Sequence, residues 1–270
     1  VAVAYDSVGP SASGAGSFTS PLTFSHTTVA ASTWVLVAGA LDGVAPGVTA
    51  TCTLGGTTMT QVGSDVPSGS GGTSGVLRVW QLSGVAAGAH SIVITCSTAS
   101  PDITGGSIAF SGAGSLGTPA TNAASANGTT AFVTLASNTS GNLIAAFIGA
   151  GNTISGVSGA ATSRFVNNLE GGSGAACGNA GGVTNPATGS SVTSTWTCTS
   201  TVAATMAVEV IAALTGANPV AVLATGNGNA PNASIVTSTI TVGPRYAAAA
   251  ADLGGAYGAW NTPQYAEGGP

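Results

Sequence analysis

From Leu22 onward the chain repeats one pattern: a short run rich in Val, Ile, Thr or Trp, then a cluster of Gly, Pro, Ser or Asn. The runs span 22–26, 34–41, 48–54, 58–62, 76–82, 90–97 and 106–111, and after a gap 132–136, 143–149, 162–166, 191–199 and 205–212. Successive side chains of a strand point to opposite faces, so polar/apolar alternation over such lengths reads as half-buried strand. No segment carries a capped amphipathic helical pattern longer than about two turns. The expected fold is all-β: an antiparallel β-sandwich, jelly-roll-like, of two packed sheets. The runs 34–41 and 143–149 are apolar on both alternations. They are expected at the centre, covered on both faces.

An internal repeat is suggested by two echoes. "HTTVAASTWVLVAGA" from His26 resembles "TLASNTSGNLIAAFIGA" from Thr134, and "HSIVITCSTASPDITGGSIAFSG" from His90 resembles "SVTSTWTCTSTVAATMAVEVIAA" from Ser191. The alternative is that all strands of a Ser/Thr/Val-rich sandwich look alike. The domain reading is a sandwich over residues 1–214, with halves 1–117 and 118–214. Residues 215–270 then form a Gly/Asn/Pro-rich linker and an extended C-terminal arm holding Tyr246, Tyr257, Trp260 and Tyr265. An aromatic tail without a core of its own is read as an arm ordered on a partner, those four residues being its anchors; the other reading is a frayed end.

Charge narrows the function. Eight acids and three Arg make up 4% of the 270 residues, where a soluble domain carries about a quarter. Neutralising phosphates takes clustered cations, and Arg78, Arg164 and Arg245 each stand alone in a chain of net charge -5. No nucleic-acid partner is expected. With 44% apolar residues the chain should fold rather than remain disordered. Its most apolar stretch, 202–214, is interrupted by Glu209 and falls short of the ~20 residues of a spanning helix, so no membrane insertion is expected.

Groups that carry chemistry are sparse and separated. His26 and His90 lack a neighbouring acid or Cys and sit at strand edges, the setting of hydrogen-bonded structural histidines. Asp42-Gly43 reads as a hairpin turn. Residues 112–117 match GxGxxG, but Thr118-Pro119-Ala120-Thr121 starts no helix, so the dinucleotide reading fails. A glycosidase needs two placed carboxylates; Glu209, the one acid on an apolar strand, has no second acid near it in sequence. Asn127, Asn138 and Asn232 open Asn-X-Ser/Thr patterns that a chain so rich in Ser and Thr produces by chance. No catalytic residue, cofactor or metal site is assigned, and the chain is read as non-enzymatic. Of the cysteines, Cys52, Cys96 and Cys198 fall on buried alternations. Buried thiols and one or two disulfides both fit, Cys177 with Cys198 being the best candidate pair.

The order of segments "AYDSVGPSASGAGSFTSPLTFSHTT", "WVLVAGA", "VTATCTLGGTTMTQVGS", "VLRVWQLSGVAAGAHSIVITCS" and "GGSIAFSGAG" resembles β-sandwich virion proteins of tailed bacteriophages, notably those of actinobacterial hosts. Ser25-His26, the turn 55–60, Trp80-Gln81-Leu82, Gly88-Ala89-His90 and 106–112 carry it, and a looser likeness continues to Leu214. The resemblance implies a minor tail, fibre or capsid decoration protein of the virion, and no catalytic residues. Such a chain would dock on other virion proteins by its arm and sheet faces. Thr/Val sheets with almost no charge have weakly protected edges, so a homo-oligomer, a trimer or larger ring, is expected. Two other readings share the composition: a carbohydrate-binding module contacting host surface glycans, or a fibre-forming extracellular protein. Trp34, Trp80 and Trp196 lie on strands and fit a core, leaving Trp260 and the tail tyrosines as the aromatic platform for the glycan reading.

Overall fold

The computed structural model describes residues 2–213 apart from 12, 69–74, 99–101, 124–129, 137–138, 140, 152, 160, 171–175, 185–190 and 199–202. The C-terminal arm with Tyr246, Tyr257, Trp260 and Tyr265 lies outside the described residues, as do Asn127, Asn138 and Asn232.

The regular elements of the described residues are strands, paired antiparallel throughout, and the all-β expectation holds. In chain order the first half holds β1 (Ala4–Gly9), β2 (Ala15–Ser17), β3 (Leu22–Thr28), β4 (Thr33–Asp42), β5 (Ala50–Leu54), β6 (Thr57–Thr58), β7 (Thr60–Gln61), β8 (Val66–Pro67), β9 (Gly75–Val85), β10 (Gly88–Cys96) and β11 (Ile103–Ser111). The second holds β12 (Ala113–Leu116), β13 (Ala120–Ala123), β14 (Thr130–Leu135), β15 (Leu143–Ala150), β16 (Ile154–Gly159), β17 (Thr162–Glu170), β18 (Ala176–Thr184), β19 (Val192–Cys198) and β20 (Ala203–Ala212).

Four sheets result. One has the order β1-β11-β4-β9-β7, with β2 also on β11 and β8 on β9; it faces β3-β10-β5-β6. The third has the order β12-β20-β15-β18-β17, with β13 on β20; it faces β14-β19-β16. The two larger sheets also pack on each other. Leu36, Ala38, Leu77 and Phe110 of the first share a core with Ala145, Phe147, Met206 and Val208 of the third. The opposite faces of those two sheets build the other cores. Val35, Val37 and Trp80 pack on Phe24, Ile92 and Ile94, and Ile144, Ala146 and Ile148 pack on Val133, Val192 and Trp196. The result is a stack of four layers with three cores.

This arrangement explains why β4 and β15 read as apolar on both alternations. Each is an inner strand, and β15 is buried at every position. Sheets covered on both faces lose the polar alternate. The outer strands keep it: β3, β14 and β19 alternate between buried and more exposed positions.

The two echoes fall on equivalent strands. The approach to β4 corresponds to the approach to β15, and β10–β11 corresponds to β19–β20. In each half the last strand lies between the first and the central strand of its inner sheet, and the penultimate strand is flanked on both sides in its outer sheet. The chain leaves β11 for β12 at Gly112, whose φ of +70° is a left-handed conformation that glycine adopts without a Cβ clash.

One local expectation is corrected. Asp42-Gly43 does turn the chain, with Gly43 at φ +68°. It closes no hairpin, however: β4 pairs with β9 and β11, while the next strand, β5, pairs with β10 and β6 in the facing sheet. The turn hands the chain from one layer to the other.

Candidate functional site: buried polar clusters and two hydroxyl-bearing outer faces

His26 sits on an inward position of β3 and is 1% exposed. Ser7 Oγ donates to Asp6 Oδ2 (2.7 Å) and lies 2.9 Å from His26 Nε2. Nδ1 lies 2.6 Å from Ser107 Oγ, which also reaches Gly9 O (3.2 Å), so each ring nitrogen has a serine hydroxyl as its hydrogen-bond partner. Ser, His and Asp meet here, but not as a nucleophilic triad: the carboxylate holds the serine instead of the far nitrogen of the imidazole, so nothing pulls the hydroxyl proton onto His26. Asp6 also accepts from the N–H groups of Val29 (2.9 Å) and Ala30 (2.8 Å). These hydrogen bonds outweigh burial and hold its carboxyl below the usual range. The cluster ties β1, β3 and β11 together.

Burial lowers the His26 pKa to about 4, the Asp6 charge only partly opposing it. The unfolded chain binds the proton near the ordinary value of about 6.5, so it takes up more protons than the fold between those limits. Stability from keeping His26 neutral is present above about pH 6.5 and is lost as pH falls toward 4, amounting to about 3 kcal/mol. Asp42, whose carboxyl is raised by burial, works in the opposite direction just above the ordinary carboxylate pKa. Urea unfolding at pH 7, 5.5 and 4 should show the midpoint dropping, with a shallower drop in His26→Gln. An equal drop in that variant would remove His26 as the cause.

His90 is partly exposed and its Nε2 lies 2.9 Å from Ala86 O. Both histidines take hydrogen-bonded structural positions.

Arg78, isolated in sequence, forms a buried ion pair. Its Nε donates to Asp65 Oδ1 (2.6 Å) and its Nη2 to Asp65 Oδ2 (2.7 Å), the side chains being 6% and 8% exposed. The remaining donors reach Ala50 O (2.9 Å) and Val48 O (2.8 Å). Burial alone would raise the Asp65 carboxyl; the Arg78 hydrogen bonds, the Gly47 N–H and the Arg78 charge hold it below the carboxylate range. Arg164 of β17 stacks at 3.7 Å on the ring of Tyr5 in β1, a cation–π contact joining the two halves. Glu209 Oε1 accepts from Thr139 N–H (2.6 Å) and Asn142 Nδ2 (3.0 Å), which fastens the turn before β15 to β20.

The Cys177–Cys198 pairing is corrected: all four cysteines are buried free thiols. Cys177 faces the first half, 3.3 Å from Thr104 Oγ1, whereas Cys198 lies in the core between the third and fourth sheets. The third sheet stands between the two sulfurs. Burial pushes their thiols up to about 12 and about 11, and raises Cys52 as well, which suppresses the reactive thiolate.

Trp80 and Trp196 are core residues, 2% and 0% exposed. Trp34 is partly buried, its indole N–H donating to Gln81 Oε1 (3.0 Å). Among the described residues three large apolar side chains stand out to solvent: Phe18, Val29 and Phe132.

The outer faces of the stack carry exposed side chains. On β3 the outward set is Thr23, Ser25 and Thr27; on the adjoining β10 it includes Ser91, Val93 and Thr95. At the opposite end, β14 presents Thr130, Phe132 and Thr134 beside Thr193, Thr195 and Thr197 of β19. Strands β3, β5, β10, β14 and β19 carry no Asp, Glu, Lys or Arg. Both ends therefore offer short hydroxyls and methyls without charge. No family model, curated protein or solved structure matches the chain.

Proposed function

We propose that the chain is a non-enzymatic structural component of a bacteriophage virion, a capsid decoration or minor tail or fibre protein, made of two jelly-roll-like halves. The observation that carries this reading is where the polar chemistry goes. Asp6, His26, Asp65, Arg78 and Glu209 are bonded into the framework, while the exposed outer faces bear hydroxyls and no charge. That is the economy of a scaffold that presents surfaces. The resemblance in segment order from Ala4 to Leu214 supplies the virion context. Docking on capsid or tail subunits is assigned to the arm, through Tyr246, Tyr257, Trp260 and Tyr265, together with the sheet faces, and the working state to a homo-oligomer.

Light scattering of the purified chain and co-sedimentation with assembled particles test this directly. A trimer or larger ring that sediments with particles, and loses that association when truncated after Leu214, is the expected result. A strict monomer that binds no virion component would overturn the proposal.

A further inference from the structure

We infer that the outer face of the second half, centred on Phe132, is a binding site for neutral glycans. Phe18 and Val29 are exposed in loops, but Phe132, 47% exposed, stands in the middle of a strand. Its backbone carbonyl is held by Thr205 Oγ1 (2.8 Å) and Asn122 Nδ2 (3.0 Å), so the ring is carried on an anchored segment. With the backbone held, only the two side-chain torsions of the phenylalanine remain to be ordered when a ligand stacks on it.

The register supplies the polar half of the site. Phe132 lies opposite Thr195, with Thr193 and Thr197 on the diagonals, and diagonal neighbours on a sheet face are within reach of an aromatic side chain. Thr130 and Thr134 flank it along β14, about 7 Å away on the same face. An apolar ring beside short hydroxyls matches the two kinds of surface of a sugar: the C–H face stacks on the ring, and sugar hydroxyls exchange hydrogen bonds with threonine, Thr134 Oγ1 and Thr193 Oγ1 being bonded to each other at 2.8 Å while keeping lone pairs for a ligand. Without a charged side chain on β14 or β19, sialylated or uronic-acid glycans find no cation there.

The first half provides an internal comparison. Counting from Cys96 and Cys198 as equivalent positions of the two halves, the counterpart of Phe132 is Thr23, opposite Val93. The aromatic is thus a feature of one half only, and the inference is confined to that half. It does not depend on the docking role: a chain that joins particles but binds no sugar keeps that role and loses this one.

Affinity electrophoresis of the full chain in gels containing mannan, dextran or galactan, with polygalacturonate as the charged comparison, tests the inference. Retardation by at least one neutral polysaccharide is expected, weakened about tenfold or more in Phe132→Ala, retained in Phe132→Tyr and unchanged in Thr23→Ala. Thr197→Lys, which leaves the ring in place but lays a long cation beside it, should also weaken retardation, and thermal melts of all variants confirm folding. The inference is overturned by no retardation in any neutral gel, by retardation in polygalacturonate alone, or by a folded Phe132→Ala or Thr197→Lys that migrates like the parent.

Discussion

Asp65→Ala should lose about 3–5 kcal/mol of stability in urea unfolding at pH 7, among the largest single-residue effects in this fold. The loss comes less from the missing attraction than from what stays behind. The buried Arg78 guanidinium remains in its site, with two carbonyls but no anion. Replacing both partners by apolar residues, as in Asp65→Leu with Arg78→Met, should cost much less than Asp65→Ala, because no unpaired charge is left buried. If the double replacement were as damaging as the single one, the ion pair would be acting through its carbonyl bonds to Val48 and Ala50 and not through its charge. Asp65 titrates below the ordinary carboxylate range, so this contribution is present at neutral pH and is lost only as pH falls through that lowered value. The window lies below the His26 transition, and the two can be separated in one pH series.

The second large effect concerns the packing of the halves. The Phe165 ring of β17 is 1% exposed and fills a slot between Gly106 of β11 and Gly181 of β18. A Cβ at Gly106 would stand 2.6 Å from two ring carbons. Phe165→Ala should cost about 3–5 kcal/mol, the transfer term plus the cavity left between sheets that cannot fully close. Gly106→Ala should cost about 1–3 kcal/mol by overpacking, and Phe165→Leu in the same chain should recover part of it. Simple additivity of the two changes, measured as a double-mutant cycle, would show that they do not share the slot.

Much of the layering was legible locally. Alternation in 22–26 and 191–199 identified strands with one wet face, and the loss of alternation in 34–41 and 143–149 identified strands with none. The Gly-rich strand β18, "ACGNAGGVT", escaped because it has almost none of the branched residues that mark strands. It is a strand because β15 and β17 pair along both its edges, and its Gly181 leaves room for the rings of Phe147 and Phe165. The polar clusters were equally hidden: Asp6 precedes His26 by twenty positions and Asp65 precedes Arg78 by thirteen, distances at which no local pattern signals a partner. Phe132 was visible only as one more apolar residue in a strand; its being outward follows from Ala131, Val133 and Leu135 taking the core.

By itself the order of residues determined which side of the alternating outer strands faces water, because that choice repeats every two residues and is written in Thr, Ser and Val. Only the tertiary structure decided that two such sandwiches share a third core and leave hydroxyl faces at both ends of the stack. It also decided that Asp65 meets Arg78 and that Asp6 and Glu209 are held by neutral donors. Those outcomes depend on contacts between segments far apart in the chain, where burial and charge pairing are settled by how sheets pack and not by any neighbour in sequence.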